Sequence, residues 1–170
     1  MRVPLFKDRP TLRPPRGEPL RRVLVILAPA DADVQSVLAL WWKLRRRGVA
    51  TVAASECHGE AQGEHGEYLL PNLLLIEAAR QDWDAVVFAG GSGALLVAED
   101  QLAHRVAARA EARGRPIAAI GLGHTVIERA GVPGFSSHDS DDVADWLGDR
   151  LGLAAPAGGR PVDTATQVRV

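Results

Sequence analysis

The stretch PIAAIGLGHTVIERAG, from Pro116 to Gly131, contains the turn on which the fold of this chain depends. Ile117 to Ile120 is a short apolar run behind a proline, which predicts a buried strand of a parallel sheet. Thr125 to Ala130 has the pattern of a helix, and the glycine that follows suits its C-terminal cap. The residues between them therefore predict a strand-to-helix elbow, where α/β folds place a nucleophile over the N-terminus of the next helix. The apex residue here is Gly121, which has no side chain.

The composition is that of a globular protein with one domain. The chain has 170 residues, of which 46% are hydrophobic and 24% charged, and that length supports a sizeable core. A formal net charge of -1 creates no overall field toward nucleic acid or membrane, so neither is an expected partner. No apolar run approaches the roughly 20 residues that span a bilayer.

The number of cysteines and the N-terminal sequence indicate in which cellular compartment the protein is expected. The single cysteine, Cys57, excludes an intrachain disulfide and fits a reducing environment. Prolines interrupt residues 1–22, where the apolar core of a signal peptide would lie. We therefore expect a cytoplasmic protein, and the many Ala, Arg and Gly residues suggest a GC-rich bacterial source.

Changes in composition divide the chain into three segments. Residues 1–21 form a basic, Pro- and Arg-rich arm, which either grips a polyanion or partner subunit or is a solvated extension. Residues 22–153 alternate apolar runs with helical patterns, as expected of one α/β domain. Residues 154–170 combine an Ala-, Gly- and Pro-containing linker with an alternating segment, Val162 to Val170, which predicts either an edge strand or a tail.

The hydrophobic patterns within the domain predict a flavodoxin-like three-layer α/β/α sandwich with a mainly parallel sheet. Asp31 or Asp33 can cap the first helix, and the Arg45–Arg47 cluster complements its dipole, which is a sufficient structural reason for those arginines. The central strands are predicted at residues 22–28, 49–54, 85–88 and 117–120. The helices are predicted at residues 34–47, 71–80, 95–113, 125–130 and 141–151.

Two other stretches have compositions associated with binding. Residues 89–94, AGGSGA, follow a strand and precede a helix, so their backbone amides can converge on an anion. They lack the lysine of a phosphate-binding loop and the spacing of a dinucleotide fingerprint. Cys57, His58 and His65 are potential metal ligands, but their spacing is not that of a zinc site and a fourth ligand is not evident. We predict structural or surface roles for them, with no metal and no cofactor.

The order and spacing of several segments make this chain resemble the ThiJ/PfpI family of the class I glutamine amidotransferase-like superfamily. The resemblance covers residues 22–131, and its most specific segments are RVLVILAPADAD, DWDAVVFAGGSGALL and GRPIAAIGLGHTVIERAG. The last two match family patterns in which a D-x-D-A strand leads to P-G-G-x-G-A and a K-P strand leads to C-H-G-P. The resemblance implies a homo-oligomer, either a dimer or a larger ring. For members that carry the elbow cysteine, it also implies hydrolase, glyoxalase or deglycase-type activity.

The elbow departs from the family pattern at the residues that carry its chemistry. In this register Gly121 stands at the position of the cysteine, Leu122 at that of the histidine that usually follows, and His124 at that of the proline. The family's extra strands between the elbow helix and the last helix are predicted to be deleted. The resemblance therefore indicates a divergent member without the nucleophile.

Two other family features have candidate residues in this chain: the oxyanion hole and the acidic residue beside the cysteine. The resemblance implies that Gly90 and Gly91 correspond to the glycines of an oxyanion hole. It also implies an acidic residue, in the loop after the first strand, that holds the cysteine. Asp33 and Gln35 both lie in that loop, and the sequence leaves the register between them open.

These residues predict a remnant pocket at the carboxyl ends of the strands, where open α/β sheets bind ligands. We expect the pocket to contain Asp33, Gly90, Gly91, Gly121, Leu122 and His124. Gly121 should have a positive φ, a conformation that glycine adopts at little cost. Because His124 stands at the start of a helix, a structural role is favoured for it over a catalytic one.

Three functions are compatible with these features. Since the thiolate that would perform covalent chemistry is absent, the favoured hypothesis is a non-catalytic binding or stress-related protein that uses the remnant pocket for a small molecule or partner. The second is an enzyme in which Asp33, His124 or another group replaces the cysteine and acts on a small aldehyde or amide. The third is a structural subunit of an oligomer.

Overall fold

Six parallel strands form the central sheet in the computed structural model, which describes residues 20–154. The strands are β1 (Arg22–Ile26), β2 (Ala50–Ser55), β3 (Ala61–Gln62), β4 (Tyr68–Leu69), β5 (Leu73–Leu74), β6 (Ala85–Phe88), β7 (Ile117–Ile120) and β8 (Phe135–Ser137). The helices are α1 (Val34–Arg46), α2 (Leu75–Ala78), α3 (Ala94–Val97), α4 (Gln101–Ala112), α5 (His124–Ala130) and α6 (Ser140–Leu151). The sheet order is β5-β2-β1-β6-β7-β8, while β3 and β4 form a separate antiparallel hairpin.

Helices cover both faces of the sheet because its central strands are apolar on both sides. Val23 and Val25 of β1 pack into the core cluster that α1 and α6 close. Leu24 and Ile26 point the other way, into the cluster closed by α2, α3, α4 and α5. Full burial of such a side chain stabilises the fold by about 1.5–3 kcal/mol. The predicted three-layer, flavodoxin-like sandwich is thereby confirmed.

The four predicted strands occupy the centre of the sheet as β2, β1, β6 and β7. The predicted strand at residues 22–28 extends two residues beyond β1, and Leu27 continues the ladder by donating from its N–H to Ala54 O at 3.1 Å. Parallel pairing places Ile26 beside Phe88, so the loops that follow β1 and β6 leave the sheet together. This arrangement brings the glycine loop close to the loop after the first strand.

The helix predicted at residues 71–80 is wrong in its first half. Leu73 and Leu74 form β5, which pairs with the end of β2, and only Leu75–Ala78 is helical. Asn72 fixes this pairing, because its side-chain oxygen accepts from Ala53 N at 2.9 Å and its own N–H donates to Ala53 O at 2.8 Å. Long-range pairing thus overrides the apolar run that favoured a helix.

Two other predicted boundaries differ from the structure. The helix predicted at residues 95–113 is divided into α3 and α4, because Asp100 caps α4 through a hydrogen bond from Leu102 N to Asp100 Oδ1 at 2.6 Å. An unpredicted edge strand, β8, lies between the elbow helix α5 and the last helix α6, a region from which the sequence predicted strands to be missing. The predicted arm, residues 1–21, falls outside the described residues except for its last two, and the predicted tail falls outside them except for Ala154.

A tight 3-10 turn, Gly121–Gly123, joins β7 to α5 and packs directly on the end of β6. A Cβ placed on Gly123 would lie 2.8 Å from Ala89 O and still closer to Phe88 O. Real side chains do not approach backbone oxygens this closely, and here both neighbours are backbone. Only glycine allows the elbow to sit this deep against β6.

We predict that Gly123→Ala lowers the free energy of unfolding by about 3 kcal/mol, because the added methyl group meets backbone that must shift. Gly123 has φ -57°, so the loss would come from packing and not from an unsuitable backbone conformation. The matched control is Gly148→Ala in α6, where the obstructing atoms are at the end of the Arg47 side chain, which can move at the cost of its hydrogen bond to Ala144 O. We expect that control to change stability by less than about 1 kcal/mol, since alanine favours the helix. Equal losses in urea denaturation would contradict this account of the elbow.

Candidate functional site

Gly121 occupies the apex of the elbow at the carboxyl end of β7. Its φ of +50° confirms the left-handed conformation predicted from the sequence. A Cβ placed there would find His138 Nδ1 at 3.8 Å and Gly90 Cα at 4.0 Å as its nearest neighbours. The position therefore has room for a side chain, although the protein supplies none.

The glycine loop after β6 lies beside this apex. Gly90 accepts a hydrogen bond through its backbone oxygen from Asp33 N at 3.0 Å. Gly91 has φ +92°, and a Cβ on it would lie 2.6 Å from Asp33 N. As predicted, Gly91, Gly121 and Asp33 lie at the carboxyl ends of the parallel strands. The N–H groups of Gly90 and Gly91 donate to no other described residue. Gly90 is buried and Gly91 is half-buried.

A carboxylate of the protein, that of Glu64, accepts a hydrogen bond from the glycine loop. Ser92 N donates to Glu64 Oε1 at 2.7 Å. Glu64 lies in the turn between β3 and β4, and its own N–H donates to Ala32 O at 3.1 Å. The sequence analysis did not single out Glu64, because the contact joins residues 28 positions apart. One amide of the AGGSGA loop is therefore occupied by a carboxylate of the protein itself.

Asp33 and Gln35 do not contact the elbow through their side chains. Asp33 Oδ1 accepts from Ser36 N at 3.0 Å, which makes Asp33 the N-cap of α1. Gln35 donates from Nε2 to the Glu67 carboxylate. Of the two residues proposed to cap α1, Asp33 therefore does so. Oδ1 of its carboxylate is therefore engaged with the first turn of the helix.

His124 closes the turn that precedes α5. Its Nδ1 donates to Gly121 O at 2.8 Å, while its Nε2 lies 4.0 Å from Glu128 Oε1. A carbonyl oxygen can only accept, so the bond fixes the proton on Nδ1. These contacts support the structural role favoured for His124. Leu122, at the centre of the turn, is 38% exposed.

His138 is the residue at this edge that the sequence analysis missed. It follows β8, whose parallel register pairs Ser137 with Ile120 of β7. Gly121 and His138 are therefore the next residues on two adjacent strands, which explains the 3.8 Å approach of the imidazole to the apex. Only the pairing of an unpredicted strand brings this histidine to the elbow. An imidazole here can donate to or accept from a group placed over Gly121.

Neither a metal site nor a membrane-spanning helix is present among the described residues. Cys57 is exposed, and residues 20–154 contain no group of three or more His, Cys, Asp or Glu side chains arranged to hold a metal ion. None of the helices within this range has both the length and the apolar character that crossing a bilayer requires.

A pair of carboxyl groups lies at the same sheet edge, beyond the glycine loop. Glu56 follows β2, and Asp100 caps α4. A hydrogen bond shared with Asp100 raises the pKa of Glu56 to about 7, and burial and the negative charge of Asp100 act in the same direction. The pair therefore holds a proton at mildly acidic pH that an isolated glutamate would release.

Comparison with known proteins agrees with this architecture. The sequence pattern of the DJ-1/PfpI family matches residues 21–140. The chain therefore belongs to the DJ-1/PfpI family, also called ThiJ/PfpI. A ThiJ/PfpI domain protein from Brachyspira murdochii superimposes with a TM-score of 0.69 at 18% identity, covering 78% of this chain and 97% of that structure. At this level of identity the likeness concerns the fold.

Two curated relatives are similar in sequence. A Pyrococcus abyssi protein named deglycase is 27% identical over 135 residues, which are 74% of this chain and 81% of the relative. The Drosophila melanogaster protein dj-1beta is 32% identical over 114 residues, 66% of this chain. The matched region spans 60% of the length of the Drosophila protein.

The carboxyl pair predicts a pH dependence of stability. The folded-state pKa of Glu56, about 7, is above its ordinary value of 4.5, so its contribution is fully present below pH 4.5 and is lost as the pH rises through 7. Replacing Glu56 with glutamine should therefore raise the melting temperature at pH 8 and flatten its decline between pH 5 and 8. Because Glu56 is largely exposed, screening limits the effect to about 1 kcal/mol, or about 2–4 °C.

Glu60→Gln, at an exposed carboxyl in the same loop, is the control for the general loss of a charge. Thermal melts of the three proteins across this pH range provide the measurement. Identical pH profiles for the wild type and Glu56→Gln would show that the Glu56–Asp100 contact does not influence folding.

Proposed function

We propose that this protein is a non-catalytic member of the DJ-1/PfpI family, a pseudoenzyme that binds a small molecule at the carboxyl ends of its central strands. The observation that carries the proposal is Gly121 at the elbow apex, with φ +50° and no side chain. A glycine cannot supply the nucleophile of covalent catalysis. The strand, turn and helix of the elbow are present around it, although Leu122 and His124 also differ from the family pattern.

The groups around the apex favour a small ligand with a carbonyl or carboxylate oxygen. The free amides of Gly90 and Gly91 can donate to that oxygen, as oxyanion-hole donors do, and the carboxylate of Glu64 already bonds to the next amide. His138 can contact the same ligand, since its Nδ1 lies 3.8 Å from the position of a Gly121 Cβ. The space that a cysteine side chain would fill is then available to the ligand itself.

An enzymatic function is the second candidate, and His138 is the residue that favours it. An imidazole beside two free backbone amides could act as a general base on a water molecule. The relative named deglycase makes a glycation-related or small-aldehyde substrate the natural choice for a test. Asp33 and His124 are weaker candidates, because the first caps α1 and the second bonds to Gly121 O.

Turnover of methylglyoxal and of a panel of small amides distinguishes the two candidates. We expect no turnover above the rate without protein, whereas pyruvate as a carboxylate probe should shift the amide NMR signals of Gly90 and Gly91. Turnover that survives Cys57→Ala but is lost in His138→Ala would establish the enzymatic alternative. If neither turnover nor a shift at these amides occurs, both functions proposed for the site are excluded.

Restoring the missing side chain should produce a reactive thiol. In Gly121→Cys/Cys57→Ala the new thiol lies beside the His138 imidazole, which stabilises the thiolate. We expect iodoacetamide to alkylate it at least about tenfold faster at neutral pH than it alkylates Cys57 in the wild type. The left-handed backbone should cost about 1–2 kcal/mol of stability without unfolding the domain.

Adding His138→Ala to that variant is the matched control, and the alkylation rate should fall toward that of Cys57. A Gly121→Cys thiol that reacts no faster than Cys57 would show that the elbow has lost its reactive geometry. Circular dichroism and a thermal melt establish that each variant is folded before the rates are compared.

We further propose that the protein is a homo-oligomer, with a cytoplasmic location in keeping with its single reduced cysteine and, from composition, a bacterial source. Leu95, Leu96 and Leu122 support the first part, because these large apolar side chains are 52%, 67% and 38% exposed, and α3 packs against the elbow turn. A second copy that covers them would remove this apolar surface from water. The elbow would then lie at or near the subunit interface.

Sedimentation velocity at micromolar concentration should show a dimer or larger assembly for the wild type. Leu96→Glu should shift it toward monomer, because association would bury the new charge. Leu70→Glu is the control, since Leu70 is also exposed, at 57%, but belongs to the end of the β3–β4 hairpin. A monomeric wild type would contradict the proposal, as would an equal response to both substitutions.

A further inference from the structure

A cleft of about 500 Å³ lies at the amino ends of β7 and β8. It is distant from the elbow, because β7 begins at the cleft with Ile117 and ends at Ile120, next to Gly121. Its volume falls within the range of small-molecule sites in proteins, roughly 300–1,000 Å³. Residues of its wall include Arg115, Pro116, Pro133, Phe135, Trp146 and Arg150.

Two aromatic rings form one wall of this cleft. Phe135 of β8 and Trp146 of α6 are stacked, with ring centroids 5.0 Å apart and planes inclined by 11°. Both side chains are only partly buried, so part of their apolar surface faces the cleft. The pair adds aromatic surface to the wall, against which another planar ring can pack.

Two guanidinium groups provide the charge of the cleft. The Arg150 Cζ atom lies 5.2 Å from the centre of the Trp146 ring, and no carboxylate of the described residues lies within ion-pair distance of Arg150. Arg115 Nη1 lies 3.4 Å from Asp84 Oδ1. That same carboxylate oxygen lies 3.4 Å from Arg21 Nη1, so one carboxylate faces two guanidiniums. Among the described residues no Asp or Glu lines the wall, so this part of the molecule gives the cleft an excess of positive charge.

The backbone around the cleft is held in place before any ligand binds. Pro116 and Pro133 restrict the segments that enter β7 and β8. Gly134 lets these segments approach closely, since a Cβ on it would lie 3.0 Å from Ile117 O. A site whose walls are already fixed loses little conformational entropy on binding.

We propose that this cleft is a binding site for a small planar aromatic anion, a molecule that carries a ring and a phosphate or carboxylate group. The ring packs on the Phe135–Trp146 surface, and the anionic group is bound by Arg150 and Arg115. Guanidinium groups suit both anions, because their donors can bond to two oxygens in parallel. The site is independent of the elbow and of the function proposed for it.

Calorimetric titration of the full-length protein tests the proposal with four probes. Adenosine 5′-monophosphate and 1-naphthoate carry a ring and an anion, adenosine carries a ring alone, and inorganic phosphate carries the charge alone. We expect saturable binding of at least one of the first two, and at least about tenfold weaker binding of both others, which is about 1.4 kcal/mol. The indole N–H signal of Trp146, assigned with Trp146→Phe, should shift on binding.

Arg150→Gln and Arg115→Gln should each weaken binding about tenfold. The matched control is Arg45→Gln in α1, whose guanidinium lies 4.9 Å from the Trp41 ring centre and 5.6 Å from that of Trp42. Arg45 thus has a similar arginine–tryptophan contact but lies outside the cleft, so this variant should bind as the wild type does.

Four results would overturn the proposal. The first is a failure of both ring-bearing anions to bind at millimolar concentration. The second is equal affinity for adenosine and adenosine 5′-monophosphate, which would remove the role of the arginines. The third is equal affinity for inorganic phosphate, which would remove the role of the rings. The last is unchanged binding in both arginine variants, which would place the bound molecule elsewhere.

Discussion

The close approach of three loops at the carboxyl ends of β1, β6 and β7 is the constraint on which the site depends. Gly123 lies so near the backbone oxygens of Phe88 and Ala89 that no side chain fits between them. Gly93 has the same relation to the loop after β1, since a Cβ there would lie 2.6 Å from Ala28 Cβ. The hydrogen bonds that join the loops, from Gly93 N to Asp31 O and from Asp33 N to Gly90 O, are both 3.0 Å long. Any larger residue at these contacts would separate the loops and break those bonds.

This packing explains why the chemistry of the elbow comes largely from the backbone. The N–H groups of Gly90 and Gly91 belong to the loop that these contacts hold in place, and neither donates to another described residue. Hydrogen-bond donors of this kind act independently of a nucleophile. The proposed pocket therefore depends on the packing of the loops and not on the residue at the apex.

The elbow lies at the carboxyl ends of the parallel strands, and the arginine-containing cleft lies at their amino ends. Helix α6 connects these two ends of the sheet. At its start lies Asp139, the N-cap, directly after His138. Its last turn carries Arg150, beside the aromatic wall of the opposite cleft. A helix of 12 residues has a length of about 18 Å. This is longer than the β7 strand, so α6 reaches from the carboxyl end of the sheet to its amino end. Its apolar face, including Val143 and Leu147, is buried against the sheet, so both ends have fixed positions.

The sequence by itself determined the local elements and the elbow. A continuous apolar run behind a proline, such as residues 117–120, is typical of a buried parallel strand, and a glycine between strand and helix predicts a positive φ. Long-range pairing decided the rest, since it does not leave a local pattern. Leu73 and Leu74 became a strand because β2 was available to pair with them. His138 reached the apex through the register of β8 against β7, and Glu64 reached Ser92 across 28 residues of chain. Such contacts depend on where the backbone returns in space, and only the tertiary structure contains that information.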